Sequence, residues 1–212
     1  MPSHLMRGLI TAGCLLAASG ASAQAGETED LAHFALARLP LFEGGEGHHA
    51  PLTMPMSWRS GDAAAFVLAE ARAPDLARER LVGMLIADGA AVLELVAGAD
   101  EAPRALAAAL AILRRDWGAG LVVAIGTGPR SGAAVLDGAG RGEGGSLGYA
   151  AAAALGGGAA RFAPGAWDEE WPPRAGLFCE VLARAAPGDA ALREGCRATL
   201  VETASLRGPR RP

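Results

Sequence analysis

Short apolar runs alternate with amphipathic stretches along the chain from residue 64 onwards. Residues 64–69 (AAFVLA), 90–96 (AAVLELV) and 121–125 (LVVAI) are such runs. Runs of this length without polar alternation are typical of strands that are covered on both faces. We therefore predict three strands here, and the run at 121–125 is the clearest buried strand in the chain.

Two amphipathic helices are predicted between these strands. The first begins after Pro74 and Asp75 and ends at Asp88 and Gly89. Its apolar positions share one helical face: Ala77, Leu81, Met84 and Leu85. The second helix has Asp100 as its expected N-terminal cap. Its apolar stripe follows the same helical spacing: Leu106, Leu110, Leu113 and Trp117.

The second half of the chain continues this alternation. Residues 149–155 and 176–182 predict a fourth and a fifth strand, and residues 189–200 predict a last helix. Strands that alternate with helices form a sheet by crossover connections, with helices on its faces. The predicted fold class is α/β, with a mostly parallel sheet of about five strands between two helical layers.

The predicted organisation places this domain at residues 62–204. A lead-in at residues 24–61 precedes it and contains a short predicted helix at 28–39, which Pro40 ends. No regular structure is predicted for the tail at residues 205–212.

The first 23 residues are typical of a cleavable secretory signal peptide. One basic residue, Arg7, precedes an apolar run, and small residues end the segment at Ala21-Ser22-Ala23. The run is too short for a membrane-spanning helix, which needs roughly 20 apolar residues. We expect cleavage before Gln24 and a periplasmic or secreted protein without a transmembrane segment. An alternative is a lipoprotein in which Cys14 becomes the lipid-bearing first residue.

Composition and charge exclude several classes of function. The chain has a formal net charge of −4 and contains neither lysine nor asparagine. The acidic balance gives no reason to expect nucleic acid as a partner. Without lysine, neither a Schiff base nor a phosphate-binding loop of the Walker type is available. We predict no cofactor, and the sequence identifies no protein partner.

Two cysteines, Cys179 and Cys196, follow the signal segment. In an oxidising compartment an even number of cysteines is more often disulfide-bonded than free. We therefore predict a disulfide between them, and two small buried thiols are the alternative.

The strand at 121–125 leads into the Gly-rich turn G-T-G-P-R-S-G at residues 126–132. Backbone N–H groups at the start of a helix attract anions. We expect Gly126, Thr127 and Arg130 to contact a small anionic ligand. Ser131 is the expected N-terminal cap of the following helix.

In order and texture, residues 62–196 resemble the α/β-hydrolase superfamily, and in particular the dienelactone hydrolases. LIADGAAVLEL is similar to the early helix and strand of that family, and ALAAALAILRRDWG followed by LVVAIGTG resembles the helix and strand that deliver its nucleophile. GYAAAAALGGG and WPPRAGLFCEVLA are similar to the next two strands. The resemblance implies an esterase-type fold.

The same resemblance implies that the catalytic residues are missing. The family places a nucleophile in a G-x-S-x-G or G-x-C-x-G turn, and the next residue donates an N–H to the oxyanion. Here Gly128 stands at the nucleophile position and Pro129, which has no N–H, at the donor position. No histidine follows His49, although the family has one near the end of the domain. The implied function is ligand binding or a structural role.

An active ester or lactone hydrolase with a rearranged site is the alternative. Ser146, within a literal G-x-S-x-G, and Ser131 are its candidate nucleophiles. His48 or His49 would serve as the base and Asp189 as the acid. An ester would then be the ligand. His33 with His48 and His49 lacks the spacing of a metal site, so no metal is predicted.

Overall fold

A mixed sheet, to which the described residues contribute seven strands, forms the middle layer of the fold. The computed structural model describes residues 32–39, 48–70, 75–140, 148–163 and 173–206. The strands are β1 (Ala32–Leu39), β2 (His48–Pro55), β3 (Ala63–Ala69), β4 (Ala91–Val96), β5 (Leu121–Thr127), β6 (Ala151–Leu155) and β7 (Ala159–Phe162). Their order across the sheet is β1-β2-β4-β3-β5-β6-β7.

The centre of the sheet is parallel and its edges are antiparallel. β4, β3, β5 and β6 are parallel neighbours, whereas β1 with β2, β2 with β4, and β6 with β7 pair antiparallel. The strands predicted at 64–69, 90–96, 121–125 and 149–155 are confirmed as β3 to β6. β5 lies between β3 and β6, so the run LVVAI is an internal strand.

In the part of the chain that the structure describes, five α-helices cover the two faces of the sheet. They are α1 (Leu76–Ala87), α2 (Ala102–Ala111), α3 (Pro129–Gly140), α4 (Pro173–Ala185) and α5 (Ala190–Leu206). α1, α4 and α5 pack on one face, and α2 and α3 pack on the other. The predicted α/β class with helices on both faces is confirmed.

Two predicted elements are wrong. Residues 32–39, which the sequence analysis places in a helix, form β1, because all eight residues pair with β2. Residues 176–182, predicted as a strand, lie inside α4. β1 and β2 belong to the predicted lead-in, yet they extend the same sheet. Together with the unpredicted β7 they bring the four confirmed strands to the seven of the described residues.

The predicted start of α1 is confirmed, whereas the N-terminal cap that the sequence predicts for α2 is wrong. Asp75 caps α1, and its Oδ1 accepts from the N–H of Ala77 at 3.0 Å. Asp100 does not cap the next helix, because it lies inside a single 3₁₀ turn that precedes α2. The Glu101 carboxylate instead accepts from the N–H of Gly98 at 3.0 Å.

The predicted disulfide between Cys179 and Cys196 is present and joins α4 to α5. The predicted signal segment at residues 1–23, Cys14 and Ser146 lie outside the described residues, as do residues 207–212 of the tail. No helix in the described part of the chain has the length and apolar character needed to cross a membrane.

Candidate functional site

The carboxyl ends of β3 and β5 meet at one edge of the sheet. From β3 the chain passes through α1 to β4 on one side, and from β5 it passes through α3 to β6 on the other. Open α/β sheets bind ligands in the crevice where the strand order reverses in this way. The turn at the end of β5 is therefore the first candidate site.

A sharp turn joins β5 to α3. Gly128 has a φ of +102°, a conformation that side chains disfavour, and Pro129 opens the helix with its fixed backbone angle. Gly126 lies so close to the backbone of Ser131 that a Cβ atom there would overlap the Ser131 carbonyl oxygen. The two glycines and the proline together allow strand and helix to meet without an intervening loop.

Glu70, the first residue after β3, occupies the N-terminus of α3. Its Oε1 atom accepts hydrogen bonds from the N–H groups of Arg130 and Ser131, the latter at 2.9 Å. Its Oε2 atom lies 3.7 Å from Nε of Arg130. The first N–H groups of a helix have no partner within the helix and carry partial positive charge. The Glu70 carboxylate satisfies two of them.

The Glu70 side chain also fills the space beside Gly128. A Cβ atom built on Gly128 would lie 3.0 Å from the carboxyl carbon and Oε1 of Glu70. An anionic ligand at Gly126, Thr127 and Arg130 would have to displace this carboxylate. The hydroxyl of Thr127 is buried and donates to the carbonyl of Leu68 at 3.5 Å. The position that an anionic ligand would take at the β5–α3 turn is therefore occupied by the Glu70 carboxylate.

Ser131 lies in the first turn of α3 rather than at its cap, so the predicted capping role is wrong. Its side chain is buried, and its hydroxyl donates to the carbonyl of Thr127 at 2.6 Å. The hydroxyl therefore bonds the last residue of β5, and this local hydrogen bond satisfies it.

The structure does not bring Ser131, His49 and Asp189 together. His49 is exposed at the start of β2, on the face of the sheet that carries α1. Ser131 belongs to α3, on the opposite face. Asp189 caps α5 at the far side of the sheet and accepts from the N–H groups of Leu192 and Gly156 at 2.9 and 3.1 Å. β2 and β6 are four strand spacings apart, about 19 Å.

The histidines of the lead-in lie on two strands. His33 pairs with Met54 and His48 with Leu39, so the two stand at opposite ends of the β1–β2 ladder. Six residues of strand separate them, about 20 Å. Within the described residues, no three side chains of histidine, cysteine, aspartate or glutamate gather in the manner of a metal site.

Comparisons with known proteins find likeness only at the level of solved structures. No protein-family model matches the chain, and no curated protein matches it. A bacterial heroin esterase is 14% identical over 59% of this chain, with a TM-score of 0.44. Est1E from Butyrivibrio proteoclasticus is 13% identical over 49%, with a TM-score of 0.42. Carboxyl esterase 2 from Tuber melanosporum is 17% identical over 57%, with a TM-score of 0.41.

The chain aligns with 44% of the length of each of these three esterases. Similarities with identities below 25% and TM-scores below 0.5 do not indicate the activity or the substrate of this chain. The chain has a three-layer α/β fold. That description rests on its own strand order and on helices packed against both faces of the sheet.

Proposed function

We propose that this protein is an exported, α/β-hydrolase-like domain that performs no acyl transfer and acts as a binding protein or structural part. The observation that carries the proposal is the Glu70 carboxylate, which accepts from the N–H groups of Arg130 and Ser131. In an acyl-transferring α/β-hydrolase, this turn supplies the nucleophile and part of the oxyanion site.

Two requirements of acyl transfer are unmet at this turn. Position 128 is glycine and offers no nucleophile, and Pro129 offers no N–H. α/β-hydrolases take a second oxyanion donor from the loop after the third strand. Here that loop begins with Glu70, whose carboxylate lies at the start of α3 and accepts from its N–H groups. Loss of one oxyanion donor costs about 10²- to 10³-fold in rate.

The charge of Glu70 adds a second obstacle. An acyl-transfer transition state carries negative charge on the carbonyl oxygen. Two like unit charges about 4 Å apart repel by about 4 kcal/mol at an effective dielectric constant of 20. A barrier raised by that amount slows a reaction by about three orders of magnitude. The carboxylate therefore opposes ester hydrolysis at this turn.

Export is supported by two features of the chain. Residues 1–23 have the charge, apolar run and small-residue ending of a signal peptide. The disulfide between Cys179 and Cys196 is of a kind that persists in oxidising compartments.

A fluorophosphonate probe tests the proposal on the purified protein. We expect no covalent adduct in the intact mass after incubation, while a serine esterase treated in parallel is labelled completely. Stoichiometric labelling that Ser131→Ala or Ser146→Ala abolishes would replace the proposal with the rearranged ester or lactone hydrolase. Labelling that survives in both variants would point to a further nucleophile and equally contradict the proposal.

A further inference from the structure

A groove with a charged floor lies on the face of the sheet that carries α1, beside the strands β1 and β2. It encloses about 710 Å³. Its walls come from β1, β2 and α1, and its apolar lining includes Phe34, Pro55, Val82 and Ile86. Arg78 and Glu94 line this space and also a neighbouring cavity of about 360 Å³ near His49. We refer to these two spaces, which share Arg78 and Glu94 in their lining, as the Glu94 groove.

Glu94 is an ionisable residue in an otherwise apolar strand. It is the only polar residue of β4, which otherwise reads AVL-LV, and its side chain is 30% exposed. Its nearest cation in the described chain, Nε of Arg78, lies 4.0 Å from Oε2, beyond hydrogen-bond distance. Burial raises the pKa of Glu94, and Arg78 opposes that shift. The carboxylate is therefore only partly withdrawn from water and has no direct hydrogen bond to its cationic neighbour.

The charges along the groove favour a cation. Glu79 and Glu94 line it with Arg78, so carboxylates outnumber guanidinium groups two to one. Arg78 has a further interaction within the fold. Within the described residues no side chain or backbone N–H donates a hydrogen bond to the Glu94 carboxylate, which is partly exposed and therefore accessible to a ligand in the groove.

The groove has the size and lining of a small-molecule site. Ligand cavities of about 300–1,000 Å³ are usually apolar and hold a few polar groups that orient the ligand. Phe34, at the rim, is 76% exposed and offers an uncovered aromatic ring. The hydroxyl-bearing Thr53 and the carboxylate of Glu94 are the polar groups on the strand side of the groove.

From this arrangement we infer that the Glu94 groove binds an apolar organic molecule that carries one protonated amine. The amine lies on the Glu94 carboxylate, and the apolar part packs against Val82, Ile86 and Phe34. The inference deepens the proposed binding function and places the ligand away from the β5–α3 turn, where Glu70 already fills the anion position.

Three dansyl probes that differ only in the end of one chain test this inference. Dansylcadaverine ends in a protonated amine, N-pentyl dansylamide ends in a methyl group, and dansyl aminohexanoate ends in a carboxylate. Binding is followed by dansyl fluorescence on the purified protein. We expect one probe per chain, with dansylcadaverine binding about tenfold more tightly than the neutral probe, and dansyl aminohexanoate binding most weakly.

Three variants test whether the preference for the amine probe arises in the Glu94 groove. Glu94→Gln keeps the shape and removes the charge, so the preference for the amine should disappear while the affinity for the neutral probe stays the same. Glu180→Gln, an exposed carboxylate on α4, is the matched control and should keep the preference. Gly83→Leu should weaken all three probes, because a side chain at Gly83 enters the groove and meets no atom of the fold within 4 Å at its Cβ.

Several outcomes would overturn the inference. They are equal affinity for the amine and the neutral probe, a preference unchanged in Glu94→Gln, tighter binding of the carboxylate probe, or no saturable binding. Unaltered circular dichroism of the variants excludes unfolding as the cause. Fluorophosphonate labelling tests the proposed function independently of the dansyl probes. Labelling of a serine would contradict the proposed function, whereas the inference about the Glu94 groove would still depend only on the preference among the three probes.

Discussion

At the scale of single residues, the chain places two carboxylates where its strands are otherwise apolar. Glu70 ends the run that forms β3, and Glu94 interrupts β4. Both positions are visible in the sequence as acidic residues within or directly after a predicted buried strand, a signal that could have marked them as candidate site residues. Their roles are not visible, because the partners of Glu70 are backbone N–H groups 60 and 61 residues away.

Other residues of the turn could be predicted, because their properties are local. The glycine at 128 and the proline at 129 restrict the backbone whatever surrounds them, and both lie where the pattern places the turn. Ser131 differs, because the start of α3 at Pro129 moves it from the cap into the first turn.

Replacement of Glu94 should change how stability depends on pH. Burial raises the pKa of Glu94 in the folded state above its unfolded value. A carboxyl with a raised pKa lowers stability once it ionises, so its contribution becomes less favourable as pH rises from the unfolded pKa through the folded pKa. In Glu94→Gln we expect this decrease in the free energy of unfolding with rising pH to be absent. Urea denaturation of the variant and the wild type across acidic and neutral pH measures the difference, and parallel stability curves would contradict it.

At the scale of elements, strands with continuous apolar runs were predictable and the edge of the sheet was not. β1 contains alanine and leucine, which also suit a helix, and its pairing with β2 decides its structure. α4 shows its helical period only over its full length, where the buried positions recur at helical spacing: Ala175, Cys179, Leu182 and Ala185. The seven residues 176–182 alone fit either a strand or a helix.

Two glycine replacements should have opposite effects on stability. Gly83 is exposed inside α1 and a Cβ there meets nothing within 4 Å, so Gly83→Ala should stabilise the fold by about 0.5–1 kcal/mol. Gly128→Ala, the matched control, should destabilise it by roughly 1–2 kcal/mol, because the residue has a positive φ. Urea denaturation measures both. A loss of stability in Gly83→Ala would show that the helix ends or bends near residue 83.

At the scale of the whole molecule, the alternation of strands and helices predicted the α/β class, because crossover connections leave few other arrangements. The number of strands was less accessible, since β1, β2 and β7 join the sheet by antiparallel pairing at its edges. The disulfide adds a covalent link between α4 and α5, two helices of the same layer.

Removal of that disulfide should lower global stability. Cys179 and Cys196 are 17 residues apart, and closing a loop of this length stabilises a fold by about 3 kcal/mol in the chain-entropy model. Both side chains are buried, so alanine at the two positions introduces little strain. We expect the double variant Cys179→Ala/Cys196→Ala to unfold at lower urea concentration with the same fold in circular dichroism. An unchanged midpoint would contradict a stabilising role for the link.

The most direct test of the account is the contact between Glu70 and the start of α3. Amide hydrogen exchange reports it, because a backbone N–H held in a hydrogen bond exchanges more slowly than a free one. We expect the Arg130 and Ser131 amides to be protected in the wild type and to exchange faster in Glu70→Ala, which removes the acceptor. Unprotected amides in the wild type, or equal protection in Glu70→Ala, would contradict the claim that the chain's own carboxylate occupies the turn.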